Sequence, residues 1–128
     1  MKTEGETTVK TYFPKNKALA EKGDVEAQFK LGKIYGIGWI GVTKDYKQAF
    51  YWFEKAAVQG DTEAQFNLGY MYFNGKGVKR NYEQAIYWTK KAGTQGHADA
   101  RHNLDEMYRK MPLTAQLAMA LKAGFSNR

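Results

Sequence analysis

The 128 residues carry 20 Lys and Arg against 13 Asp and Glu, a formal net charge of +7, with 43% hydrophobic and 15% aromatic residues. That size suits one domain with an aromatic-filled core. The absence of cysteine excludes disulfides and thiolate metal sites, and the longest purely apolar run, Ala49–Phe53, falls far short of the ~20 residues of a membrane span.

Met1–Lys10 is polar and lacks an apolar signal region. Residues 1–12 therefore read as a polar tail. The chain reads as cytoplasmic, with a bacterial periplasmic location requiring prior removal of a signal. A single domain is expected over 13–126, its first helix over 14–22. Ala20 and Gly23 match Ala57 and Gly60 further on, which makes 14–24 the end of an incomplete repeat.

A first full copy spans 25–60, with helices expected over 25–36 and 45–58. A second spans 61–96, with helices over 62–73 and 81–94. Ala27 to Gly32 (AQFKLG) matches Ala64 to Gly69 (AQFNLG) at an offset of 37, and Tyr35 and Gly38 match Tyr72 and Gly75. Beyond them the offset falls to 36: Tyr46, Ala49, Trp52, Lys55 and Ala56 match Tyr82, Ala85, Trp88, Lys91 and Ala92. The change places a one-residue insertion at Trp39–Ile40. Ala27, Leu31 and Tyr35 recur every four residues, and Ala49, Trp52 and Ala56 at three and four, which is helical spacing. Gly32 and Gly69 lie mid-helix at about 1 kcal/mol each in propensity, as a close helix approach requires. Asp45 and Asn81 are expected N-caps, and Gly60 and Gly96 expected positive-φ helix ends. Trp52 and Trp88 are expected to plug the gap between their own helix pair and the next.

A degenerate third copy over 97–111, with a helix over 98–110, keeps Leu104 and Tyr108 but has Asp105 in the glycine position. Pro112 ends it. In 113–125 a helix is expected over 114–124. There Leu113, Leu117 and Leu121 recur every four residues and read as the apolar face of a cap that closes the stack.

The pattern Leu68-Gly69, Tyr72, Gly75-x-Gly77-Val78, Tyr82, Ala85, Trp88, Lys91-Ala92 and Gly96, with its copy one repeat earlier, resembles the Sel1-like repeat family over about residues 18–110. The resemblance implies an all-α fold, a right-handed α/α solenoid of helix–turn–helix repeats related to tetratricopeptide repeats, here with a C-terminal capping helix. It also implies an adaptor, an inhibitor or immunity protein, or an assembly scaffold. Such proteins are most often bacterial and bind another protein with the inner curve.

No residue set points to catalysis, a metal or a cofactor. Gly36 to Gly41 spells GxGxxG, but it follows a helix, and the second copy loses the match at Asn74-Gly75-Lys76-Gly77. Ser126 is the sole serine, and His97 and His102, five apart, do not share a helical face. The expected function is therefore non-enzymatic binding of another protein by a monomer. Phe29, Phe66 and His102 occupy one equivalent slot, which the likeness to related solenoids puts at the edge of the inner curve, as either partner contacts or core. The same likeness puts Tyr70 and Phe73 nearer the groove, with Lys33 and Arg109 in corresponding turns. Trp39 and Ile40 complete the candidate set, with Trp39 either a partner anchor or a lid over the first helix pair. The alternative is nucleic acid or another anionic surface. Residues 65–128 carry 10 basic and 4 acidic residues against 10 and 9 before them, and Lys76, Lys79, Arg80, Lys90 and Lys91 form the candidate basic patch.

Overall fold

The computed structural model describes the backbone of residues 4–39 and 41–126, and the side chains of 11–39 and 41–124. Among the described residues there are seven helices and no strand: α1 (Glu4–Glu21), α2 (Val25–Ile37), α3 (Tyr46–Val58), α4 (Thr62–Asn74), α5 (Tyr82–Thr94), α6 (Ala100–Lys110) and α7 (Leu113–Ser126). Each helix from α1 to α6 packs mainly on its chain neighbours, the nearest-neighbour arrangement of an α/α solenoid.

Local chemistry sets the helix limits. Asp24 and Asp61 accept the N–H of Ala27 and Ala64 at 2.8 Å each and cap α2 and α4. Asp45 accepts from Lys47 and Gln48, and Asn81 from Gln84, capping α3 and α5 as expected. Gly60 and Gly96 take positive φ of 102° and 94°. The loop inside each pair is closed by the same bond, Asp45 N–H to the Tyr35 carbonyl and Asn81 N–H to that of Tyr72, both 2.9 Å. Because both copies close identically, the extra residue of the first loop is absorbed in a turn, where Val42 N–H donates to the Trp39 carbonyl at 2.7 Å.

The helix pairs meet at the mid-helix glycines. A Cβ on Gly69 would strike Thr89 Oγ1 and lie 3.1 Å from the Ala85 carbonyl; one on Gly32 would lie 2.6 Å from the Phe53 ring. The lost propensity thus buys close contact of α4 with α5 and of α2 with α3. Around these contacts the core forms successive clusters. Ala20, Ala27, Leu31, Ile34 and Trp52 join α1, α2 and α3. Phe53, Ala57, Leu68 and Met71 join α3 and α4. Ala85, Ile86 and Met107 join α5 and α6.

Buried amides tie consecutive repeats. Gln28 and Gln65 are 3% and 0% exposed. Each donates to the carbonyl eight residues earlier, of Ala20 and Ala57, at 3.1 Å. Each accepts in turn from a glutamine at the end of its partner helix, Gln59 at 2.8 Å and Gln95 at 3.0 Å. Burial of an amide is tolerated here because donor and acceptor are both engaged.

Four expectations are corrected. First, α1 begins at Glu4, so the segment read as a polar tail is helical from there and Pro14 lies inside the helix. Proline removes one intrahelical bond. The turn before it is anchored by Tyr12 edge-on to Trp39 at 5.4 Å and Phe13 edge-on to Tyr35 at 5.8 Å. Second, Trp52 and Trp88 face the preceding repeat, not the next. Trp52 joins the α1–α2 cluster and Trp88 packs on the α3–α4 cluster. Third, α6 starts at Ala100, two residues late, because His97 stands where Asp24 and Asp61 cap the earlier copies. Its Nδ1 accepts the Asp99 N–H at 3.2 Å. Fourth, Leu113, Leu117 and Leu121 point away from the stack, 69%, 55% and 63% exposed. The inner face of α7 instead offers Met119, packed on the α5–α6 cluster, and Gln116, which donates to the Tyr108 and Met111 carbonyls.

Candidate functional site

Between α2 and α4, floored by α3, lies a groove of about 220 Å³. Ala49, Phe53 and Met71 form its buried apolar floor. Ile37 on α2 and Tyr70 on α4 stand at its walls, 70% and 50% exposed. Lys33, Gly36, Tyr46, Asn67 and Lys76 complete the lining. Lys76 reaches it because Gly77, at φ 72°, seats the second loop on the first turn of α3, where any Cβ would collide with the Tyr46 carbonyl. Lys76 Nζ then lies 5.2 Å from the Tyr46 ring centroid, with Lys44 Nζ at 4.7 Å. A hydrogen bond from Lys44, and then the charges of Lys44 and Lys76, hold the Tyr46 hydroxyl below its ordinary pKa against the opposing effect of burial.

A second, shallower groove of about 170 Å³ lies one helix earlier, lined by Tyr12, Lys30, Ile34 and Trp39, and by the same Lys33 and Ile37. Lys30, Lys33 and Ile34 are the equivalents of Asn67, Tyr70 and Met71 in the first groove. The two grooves are therefore repeat copies of one feature, separated by the ridge of Lys33 and Ile37.

The expected site residues divide. Lys33 and Tyr70 meet in the first groove, and Trp39 sits half-buried in the second, edge-on to Tyr12. Ile40 lies outside the described residues. Phe29 packs on Phe53 at 5.9 Å, with Lys33 over its outer face at 5.3 Å. Phe66 stacks on His97 at 4.3 Å, and His97 Nε2 lies 3.2 Å from a Glu63 oxygen, out of line for a hydrogen bond. Phe73 packs against the α5–α6 cluster and edge-on to Tyr82 at 5.2 Å, so it belongs to the core and not to the groove. His102 is exposed. Arg109 pairs with Glu106 at 2.6 Å.

The basic residues do not form one patch. Lys76 faces the groove. Arg80, with its guanidinium 5.0 Å from the Tyr82 ring, and Lys79 stay at the start of α5. Lys90 and Lys91 lie in its last turns, roughly 15 Å along the axis at 1.5 Å per residue. Lys91 covers Tyr87 and Trp88 at 5.6 Å each. Sequence reasoning missed Ile37, Tyr46, Asn67 and Met71. One signal was available for Ile37: the second copy has Asn74 at that place, so the repeat does not need an apolar residue there.

Comparisons with known proteins agree with this architecture. The Sel1 repeat family pattern matches residues 25–61 and 62–97. Two solved structures are near it in both fold and sequence. A Sel1 repeat protein from Oxalobacter formigenes superimposes with a TM-score of 0.68 at 40% identity, covering 71% of this chain and 68% of its own. The Helicobacter pylori cysteine rich protein B gives 0.67 at 32% identity, covering 72% and 68%. A protective antigen of uropathogenic Escherichia coli with an SLR fold gives 0.70 at 44% identity, over 77% of this chain but 21% of the antigen. Mouse protein sel-1 homolog 2 is 51% identical over 41 residues, which span 32% of this chain and only 6% of the mouse protein. Sel1 repeat proteins are in general non-catalytic scaffolds that mediate protein–protein interaction. With two full repeats covering more than half its length, this chain belongs to the Sel1 repeat family.

Proposed function

We propose that the chain binds a partner protein on the concave side of the solenoid, through the groove between α2 and α4, as an adaptor or as a stoichiometric inhibitor or immunity protein acting as a monomer. One observation carries the reading: Ile37 and Tyr70 are exposed at 70% and 50% on the walls of an apolar groove, where the fold gains nothing from their exposure. A bacterial setting is supported by the three bacterial structures it resembles. The scattering of the basic residues gives no comparable support to nucleic acid as the partner.

The test is affinity capture with the intact chain and with Ile37→Asp and Tyr70→Asp. The proposal expects partners held by the wild type and lost by both variants, with unchanged helical circular dichroism. Capture that survives both substitutions would sink it.

A further inference from the structure

We infer that the Lys33–Ile37 ridge reads an acidic peptide segment in which two large apolar side chains bracket a carboxylate. The inference rests on the protein-binding reading and deepens it. Its first ground is shape. The grooves on either side of the ridge, about 220 and 170 Å³, have apolar floors and share the residues between them. Each falls below the roughly 300–1,000 Å³ of a small-molecule site, so each suits one large side chain. Neighbouring helix axes lie about 8–10 Å apart. A strand advancing about 3.3 Å per residue therefore places anchors in both grooves when they are about three residues apart.

The second ground is charge. Away from the ridge Arg109 and Lys110 pair with Glu106, and Lys122 with Glu83. In the second groove Lys30 is held by Glu26 at 3.1 Å. Among the described residues no carboxylate pairs with Lys33, Lys44 or Lys76. Lys33 and Lys76 line the larger groove and Lys44 shares the Tyr46 ring with Lys76, the three ammonium groups lying 4.7–5.3 Å from aromatic centroids. No acid is among the residues lining either groove, and Glu26 on α2 is taken by Lys30. An incoming carboxylate thus meets ammonium groups that no carboxylate pairs with, in grooves without an acid in their lining. The third ground is polarity on the α4 wall. Asn67 Nδ2 donates to the Glu63 carbonyl at 2.8 Å, which leaves its side-chain oxygen to accept a peptide N–H.

The test pans a random dodecapeptide display library on the intact chain and measures recovered peptides by fluorescence anisotropy. The expected clones are rich in Asp and Glu and carry paired large apolar residues about three apart. Lys33→Glu with Lys76→Glu should weaken them by about tenfold or more. Ile37→Asp should do the same, whereas Lys90→Glu with Lys91→Glu should leave affinity within about twofold. Circular dichroism confirms the fold of each variant, and Lys33→Arg should restore binding. Clones without acidic enrichment, or binding indifferent to the Lys33 and Lys76 reversals, overturn the acidic specificity. The protein-binding reading survives that result if Ile37→Asp and Tyr70→Asp still abolish protein capture, and falls with it if they do not. No recovered clone, or tighter binding of a single-stranded DNA 20-mer lost on the same reversals, also overturns the inference.

Discussion

The second repeat and the degenerate third start from the same apolar pattern and end with different packing. In α4–α5, Asp61 caps, Gln65 bridges, Gly69 admits the partner helix and Leu68 is fully buried. In α6 the corresponding places hold His97, Arg101, Asp105 and Leu104, and Leu104 is only half-buried. Met107 nevertheless stays at 3% exposure. The helix that follows, α7, leaves a cavity of about 550 Å³ against α5 and α6. Apolar residues recurring every three to four positions are therefore enough to make a helix and give it an inner face. The lateral lock between helices depends on a few small and polar residues that the third repeat has lost.

Substitutions can test that division. The largest effect is expected at Trp52, 5% exposed at the seam of three helices. Trp52→Ala should cost about 3–5 kcal/mol in urea denaturation. Trp88→Ala should cost less, because Trp88 is only half-buried; equal midpoints for the two would contradict this picture of the seams. Next comes the amide bridge. Gln65→Ala removes the partner of Gln95 and of the Ala57 carbonyl, at about 1–3 kcal/mol. Arg101→Ala at the equivalent exposed site should stay within about 0.5 kcal/mol. Gly69→Ala should destabilise by roughly 1–2 kcal/mol, overpacking outweighing the gain in helix propensity. A stabilised Gly69→Ala protein would show that the close approach is not required. The smallest effect has the opposite sign. A Cβ on Gly93 meets Ala100 Cβ at an ordinary 3.5 Å, so Gly93→Ala should raise stability by about 0.5–1 kcal/mol, read as a higher melting temperature.

The repeat made much of this legible before the structure. Two copies aligned residue by residue locate helices, caps and glycines, because each device recurs at a known offset. What stayed hidden depends on direction or on distant partners. Pro14 looks like a boundary until Tyr12 and Phe13 are seen packed on Trp39 and Tyr35. The spacing of Leu113, Leu117 and Leu121 defines a stripe but not what it faces, and it faces outward. Gln28 and Gln65 carry no sequence sign of burial, since a glutamine reveals it only through the carbonyl and amide it meets. The groove was half legible. Lys33 and Tyr70 follow from the likeness to related solenoids, whereas Ile37, Tyr46 and Lys76 arrive from three separate segments.

The neighbour-to-neighbour packing of α1 to α6 also bears on how the chain reaches its fold. Contacts between adjacent helices close short loops, so little chain entropy is spent before each new contact forms. Ordering can begin at the doubly flanked α3–α4–α5 block, which holds the Gln65–Gln95 amide bridge and the close contacts of Gly69 and Gly77. It then spreads outward one helix at a time. The ends, the first turns of α1 and the whole of α7, join last and are released first. The groove between α2 and α4, set on the inner helices, is assembled before the ends arrive and outlasts their fraying.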